Sequence, residues 1–369
     1  MAELFIGLMS GTSMDGIDAA LTDFSDHKPR LIEATYLPFT NSLAKQIQRV
    51  ANPEHTISLE EYGQLDAKLG YLYADLVLTL LKKSSKNAAE IHAIGSHEQT
   101  VFHAPGAKPA FCLQIGDPNI IAETTGITTV ADFRRRDIAA GGQGAPLTPA
   151  FHQVVFSDPG ENRIILNIGG MANITLLPKN QNLPVSGFDT GPGNVLMDYW
   201  INKNLSVTYD ENGNWANSGT CNADLLDELL NDPYFSLAPP KSTGKEYFSP
   251  SWLEHKLTKQ KHISPEDVQA SLCQLTAATI CDEITKLSIT PDRILVCGGG
   301  VHNSKLTDTI KNQMACPVVS TDEYGLDPDQ VEAVAFAWLA RQTLHNLPGN
   351  LTSVTGAKKP VTLGAIYPG

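Results

Sequence analysis

The chain has 369 residues, 42% hydrophobic and 18% charged, with a formal net charge of −13. That length calls for two cores rather than one, in an ordinary soluble globular protein. The acidic balance excludes nucleic acid and an anionic membrane as partners, no apolar run approaches the ~20 residues of a membrane span, and no export signal opens the chain.

Leu4–Ile6 and Ile17–Leu21 read as two strands around a polar turn, Ser10–Gly16, and a third strand follows near Arg30–Leu37. Helices are predicted around Asn41–Val50 and Leu59–Lys82. The second carries Leu65, Leu69, Leu72, Leu76 and Leu80 at three- and four-residue spacing, a stripe suited to packing on a sheet. Short apolar strands fit Ile91–Gly95, Phe111–Gly116 and Ile127–Ala131, and Gly141-Gly142-Gln143-Gly144 marks a lobe boundary. Arg163–Pro178, RIILNIGGMANITLLP, then repeats the opening grammar of strand, polar turn and strand, which suggests duplicated lobes. Ser264-Pro265-Glu266-Asp267 starts a helix with a capping Ser, Pro in the first turn and acids against the dipole; Val268, Leu272, Leu275 and Ile284 form its buried face. Arg293–Asn303 is an apolar strand running into three glycines. Alternating strands and helices in both halves indicate α/β architecture with mixed sheets. The six cysteines show no CxxC and are expected as reduced thiols, not metal ligands.

Three turns have the makings of a phosphate cradle, in which glycine lets backbone N–H groups reach a ligand and hydroxyls add donors: Ser10–Gly16, Asn167–Asn173 and Gly298–Asn303. Each alone is explained as a tight turn; three together, two at matching places in the halves, point to nucleotide binding. The familiar fingerprints are missing: Gly244-Lys245 is followed by Glu246, and GPGN at Gly191–Asn194 lacks the third glycine of a dinucleotide motif.

Asp15 and Asp189 stand beside these turns, where a carboxylate can hold hydrated Mg²⁺, act as a base, or simply bond to nearby backbone N–H groups. Asp189 lies between a strand and a helix carrying Val195, Leu196, Tyr199 and Trp200, at the strand end where α/β proteins bind ligands. Arg134, Arg135 and Arg136 interrupt an acidic chain at a strand–loop junction and suit a carboxylate or phosphate; a solvated basic face is the plainer alternative. His97 and His103 lack matching metal ligands at helical spacing and read as hydrogen-bonding groups.

In order along the chain stand GLMSGTSMDGIDAAL, GSHEQTVFH, QIGDPNIIAE, DFRRRDIAAGGQGAPL, LNIGGMANIT, FDTGPGN, PPKSTGKEYF, CGGGVHN and the C-terminal VTGA…LGAIYPG. This series resembles the anhydro-N-acetylmuramic acid kinase family over nearly the whole chain. The resemblance implies the sugar kinase, heat-shock ATPase and actin superfamily: an α/β fold of two lobes, each with a ribonuclease-H-like mixed sheet, and an active site in the interlobe cleft. The expected division is 1–140 for the first lobe and 141–350 for the second, with 351–369 packing back on the first.

The resemblance also implies an activity: ATP and water convert 1,6-anhydro-N-acetylmuramic acid to N-acetylmuramic acid 6-phosphate and ADP, in the cytoplasm, during peptidoglycan recycling. ATP, Mg²⁺ and the sugar are the implied ligands, and a homodimer the implied assembly. By resemblance, Gly11, Thr12, Ser13, Met14, Asp15, Gly16, Ile17 and Asp18 form the first phosphate turn, with Asp15 a metal ligand through water. Asn167, Gly169, Gly170 and Asn173 form the second, and Gly298, Gly299, Gly300 and Asn303 border the adenosine. Asp189 is the expected base, and His97, Gln99, Thr100, Arg136 and Glu332 the expected sugar contacts. One departure stands out: the family pattern expects glycine after His97, and this chain has Glu98. The competing readings are an ATP-independent glycoside hydrolase pairing Asp189 with Asp15 or Glu332, an ATP-binding scaffold, and an ordinary hexose kinase.

Overall fold

The computed structural model describes every residue except Met1, Thr12, Ser13, His27, Pro53, Lys259, Lys261 and His262. The chain forms two units, Met1–Val155 with Gly325–Gly369, and Phe156–Tyr324.

In the first unit β1 (Leu4–Met9), β2 (Gly16–Asp23) and β3 (Arg30–Pro38) form an antiparallel meander. Two helices, Asn41–Ala51 and Leu59–Ser84, lead to β4 (Ile91–Ser96), which runs parallel to β1. The second helix starts where Ser58 Oγ accepts from the Glu61 N–H, and it buries Leu65, Leu69, Leu76 and Leu80 from the expected stripe. The hairpin β5 (Gln99–Ala104) and β6 (Phe111–Ile115) makes a small sheet of its own. After the Pro118–Thr125 helix, β7 (Thr129–Ala131) pairs parallel to β4.

The second unit repeats this plan. β8 (Arg163–Ile168), β9 (Met171–Leu177) and β10 (Ser186–Pro192) are an antiparallel meander, and β11 (Arg293–Cys297) and β12 (Val318–Ser320) extend it in parallel on the other side. Its order is β10-β9-β8-β11-β12; the corresponding strands of the first unit run β3-β2-β1-β4-β7. Each is the ribonuclease-H-like arrangement, a meander whose first strand is also paired in parallel. The Pro265–Thr285 helix is capped by Ser264 Oγ and buries Val268, Leu272, Leu275 and Ile284 against the second sheet's core.

The chain then returns to the first unit. The Val331–Leu344 helix lies across β1 and β4, and β13 (Ala365–Tyr367) pairs antiparallel with β7 at the sheet's edge. Gly7 and Gly95 permit the helix's approach: a Cβ on Gly7 would strike the Ala333 carbonyl oxygen, and one on Gly95 that of Phe336. The Gly141–Gly144 cluster, expected at the boundary, sits inside the first unit. Fully buried Asp137 captures it, accepting from the Gly144 N–H (2.8 Å), Asn350 Nδ2 (2.7 Å) and Thr355 Oγ1 (2.8 Å). All six cysteines are free thiols, and among the described residues no helix is long and apolar enough to cross a membrane.

Candidate active site

In the first unit the site begins at the β1–β2 turn, where Met9 pairs with Asp18. Thr12 and Ser13 lie outside the described residues. The Met14 N–H donates to the Gly11 carbonyl (3.2 Å), and the Phe39 N–H to that of Asp15 (2.7 Å). Met14 and Ile17 send their side chains into the core and offer a ligand only backbone. Ser10, the first residue of that turn, organises it from below. Its buried hydroxyl is shared between Gln99 Oε1 (2.7 Å) and the Gly16 carbonyl (3.0 Å), while Gln99 Nε2 donates to the Gly11 carbonyl (3.3 Å). Gln99 thus fastens the start of β5 to the β1–β2 turn.

His97 joins the same cluster. Its Nδ1 lies 3.0 Å from the Ser10 carbonyl and its Nε2 2.7 Å from an Arg134 NH2 nitrogen. Guanidinium only donates, so Nε2 accepts and the ring proton sits on Nδ1, bonded to Ser10. Burial, and then the Arg134 charge, hold this imidazole well below the usual histidine range. Arg134 also donates to the Gly144 carbonyl (2.7 Å), and its charge acts on Glu332, whose carboxyl burial pushes up. Glu332 stands in the first turn of the Val331–Leu344 helix, the one seated on Gly7 and Gly95. Gln114 Nε2 ties the segment together, donating to the His97 carbonyl (2.6 Å) and Thr100 Oγ1 (3.1 Å).

The arginine run divides by position on its short helix, Phe133–Ala139. Phe133 and Asp137, four apart, define the buried face, and Arg134 borders it. Arg135 pairs with Asp132 at 2.6 Å, and Arg136, the arginine expected at the sugar, is exposed. The signal for Arg134 was the apolar-to-acid spacing of 133 and 137, which orients the helix. Glu98 has the left-handed φ of +63° that glycine adopts without strain. Its buried carboxylate accepts from the Asp132 N–H (2.9 Å), and burial, reinforced by Asp132 and Asp66, pushes its pKa up to about 8.

Asp18 sits among other acids. Burial is the largest influence on it, followed by the charges of Asp15, Glu332 and Asp329; a hydrogen bond from Gln330 opposes them, and its pKa rises to about 7. Among the described residues no three ligating side chains converge as a metal cage.

In the second unit three glycine segments meet at the end of β8. The Gly193 and Val195 N–H groups donate to the Gly170 carbonyl (2.9 and 3.2 Å), and the Asn194 N–H to that of Gly169 (2.9 Å). A Cβ on Gly298 would strike Asn167 Oδ1, and one on Gly300 the Ile168 side chain. At Gly169 and Gly170 the nearest atoms to such a Cβ are 3.7 and 4.0 Å away, and at Gly299 none lies within 4 Å. Packing therefore demands Gly298 and Gly300 but not Gly169, Gly170 or Gly299: a Cβ at the first two of these would make only ordinary van der Waals contact, and Gly299 borders open space. Asn303 caps the Ser304–Gln313 helix, its Oδ1 accepting from the Leu306 N–H (3.0 Å).

Asn167, Asn173 and Asp189 form a polar row across β8, β9 and β10, directly paired in register. Asp189 Oδ2 accepts from the Thr243 N–H (2.9 Å) and Ser242 Oγ (3.1 Å). Burial raises its pKa, these two bonds lower it, and Glu246 raises it again. Among the described residues nothing bonds to Oδ1. Ser242 and Thr243 belong to the PPKSTGKEYF segment, and no local pattern disclosed that they would close on a carboxylate some fifty residues earlier.

Two sheets of the same strand order, each with a polar turn after its first strand, define the class: a two-unit α/β protein with a repeated ribonuclease-H-like mixed sheet. The model of the family "Anhydro-N-acetylmuramic acid kinase" matches residues 3–369. The chain belongs to that family. Relatives of that name are 51% identical over 366 residues in Pasteurella multocida (strain Pm70), covering 99% of this chain and 96% of the relative. In Photobacterium profundum the match is 49% over 375 residues, with 99% of each chain covered, and in Coxiella burnetii (strain RSA 331 / Henzerling II) 50% over 369 residues, with 99% and 97% covered.

Proposed function

We propose that this protein is an ATP-dependent kinase that opens 1,6-anhydro-N-acetylmuramic acid with water and phosphorylates O6, giving N-acetylmuramic acid 6-phosphate and ADP. The substrate's C1 and O6 are tied in an internal acetal, so no free 6-hydroxyl exists to attack ATP. Water must add at C1 as the C1–O6 bond breaks. O6 then takes the γ-phosphoryl group and the bond from phosphorus to ADP breaks.

The observation that carries this reading is the state of Asp189. Two donors hold Oδ2 and orient the carboxylate, while Oδ1 stands ready to take a proton from water. A base raised by burial works closer to neutral pH than an exposed aspartate. Gly169, Gly170 and Gly299 support ATP as the co-substrate, because glycine there meets no demand from the protein's own packing. Phosphoryl transfer depends mainly on positioning and charge neutralisation, which the two turns supply.

Mg²⁺ fits the donor chemistry of the first turn. It takes one or two carboxylates and keeps its water, and Asp18, crowded by Asp15 and Asp329, is a carboxylate whose charge a cation would relieve. Asp15 and Asp18 would hold it through water, and it would neutralise triphosphate charge. His97, Gln99, Thr100, Arg134, Arg136 and Glu332 are assigned to the sugar side. A cytoplasmic homodimer in cell-wall recycling completes the proposal.

A single turnover in ¹⁸O-water tests the reaction, with heavy oxygen expected at C1 of the product. Recovery of the label in inorganic phosphate instead would overturn it, and ring opening without nucleotide would indicate a hydrolase.

A further inference from the structure

β10 is the edge strand of its sheet, so one side of Asp189 has no strand partner. Both backbone groups of Asp189 are nevertheless satisfied: its N–H donates to the Lys241 carbonyl (3.1 Å), and its carbonyl accepts from the Tyr234 hydroxyl (2.7 Å). The next two residues, Ser242 and Thr243, hold the carboxylate. One tripeptide, 241–243, therefore grips Asp189 by its backbone and by its side chain.

The tripeptide itself is anchored by a lysine turned inward. Lys241 is 7% exposed, a rare condition for this side chain. Its ammonium lies 4.8 Å above the Tyr234 ring and 3.4 Å from the Tyr234 carbonyl, and ends 3.2 Å from Glu283 Oε1. Glu283, 4% exposed, sits on the Pro265–Thr285 core helix, where the same oxygen also receives Lys286 (2.9 Å). Stability alone gives little reason for such a pair, since apolar replacements of buried ion pairs are often neutral or better. What the pair supplies is register: the length and charge of Lys241 allow the loop one placement against the core helix.

We propose that Lys241, locked by Glu283 and Tyr234, is a positioning residue for the reaction, fixing the 241–243 segment so that Ser242 and Thr243 orient the Asp189 carboxylate. This rests on the reading of Asp189 as the base. The charged and titratable groups facing Asp189 are Glu246 and Tyr234, from the same loop region, and neither replaces the two donors.

The test is the double variant Lys241→Met with Glu283→Gln, which removes both charges without stranding either. Lys241→Met alone leaves Glu283 buried without Lys241 and serves as the destabilised control. Thermal melts of the double variant are expected to match wild type, with kcat down about tenfold or more and KM for ATP unchanged. Loosened donors no longer lower the Asp189 pKa, so the acid limb of kcat moves to higher pH. Wild-type kcat with an unmoved acid limb in the folded double variant overturns the proposal. A double variant that melts early is read by that limb in its folded fraction, below its melting temperature: a shifted limb supports the proposal and an unshifted one rejects it. Asp189→Asn, measured alongside, separates the two levels, because an active Asn variant defeats the base assignment itself.

Discussion

Arg134 donates to His97 Nε2 across 2.7 Å, and that contact determines which nitrogen of the imidazole carries the proton. A charged imidazole would turn a second donor toward guanidinium in a buried setting, so His97 stays neutral in the folded protein.

The first prediction concerns that proton. Nitrogen NMR of His97 is expected to show the neutral Nδ1–H form from about pH 8 to about pH 5.5, without titrating. Unfolded histidine takes a proton near 6.5 and the folded ring does not, so this residue's contribution to stability is intact above that value and declines progressively as pH falls below it toward the folded pKa. A His97 signal that titrates near 6.5 in the folded protein would contradict the geometry.

Asp189→Asn is expected to lower turnover by about 10²–10⁴-fold, the usual contribution of a general base. Its melting temperature and ATP affinity should hold, because asparagine keeps an oxygen for Thr243 N–H and Ser242 Oγ. Single-turnover kinetics with nucleotide titration checks all three quantities.

The pKa of Asp18, raised to about 7, gives a pH-dependent stability of opposite sign to that of a salt-bridged acid. The folded state holds this proton above the unfolded value of 3.8, so stability falls as pH rises from about 4 to about 7 and levels off above. Asp18→Asn should therefore melt with wild type near pH 4 and increasingly above it toward pH 8. Thermal melts across that range decide it; an unchanging difference would rule out the assigned shift.

Two glycine substitutions should part fold from ligand. Gly299→Ala meets no atom within 4 Å, so its melt should match wild type while ATP binding weakens in calorimetry. Gly7→Ala drives a methyl into the Ala333 carbonyl, a backbone atom that cannot step aside, and should cost about 1–3 kcal/mol or more in urea unfolding. Equal effects of both on stability would dismiss the reading of Gly299 as an opening for ligand.

Much of the architecture was legible because it is written locally. The leucine stripe of 65–80, the Ser58 and Ser264 caps, and the two strand–turn–strand units all act within a turn or two of the residues that encode them. The candidate site was expected from its glycines and Asp189, and the groups that hold them were not legible. Ser10 reaches Gln99 over 89 positions and Thr243 reaches Asp189 over 54, distances at which spacing carries no signal. Gly141–Gly144 shows the reverse failure: a break in local pattern looked like a boundary, while a buried carboxylate and the returning residues 350–355 kept the loop within the first unit.

That return has a bearing on how the molecule is made. β1 and β4 leave the ribosome well before the helix that roofs them, Val331–Leu344, and before the strand that closes the edge of β7. The second unit, contiguous from Phe156 to Tyr324, is complete before either arrives. Synthesis thus leaves β1 and β4 with a bare glycine-lined face until the whole second unit has been made. Prematurely terminated chains would strand that surface, offering it to chaperones and proteases rather than to substrate.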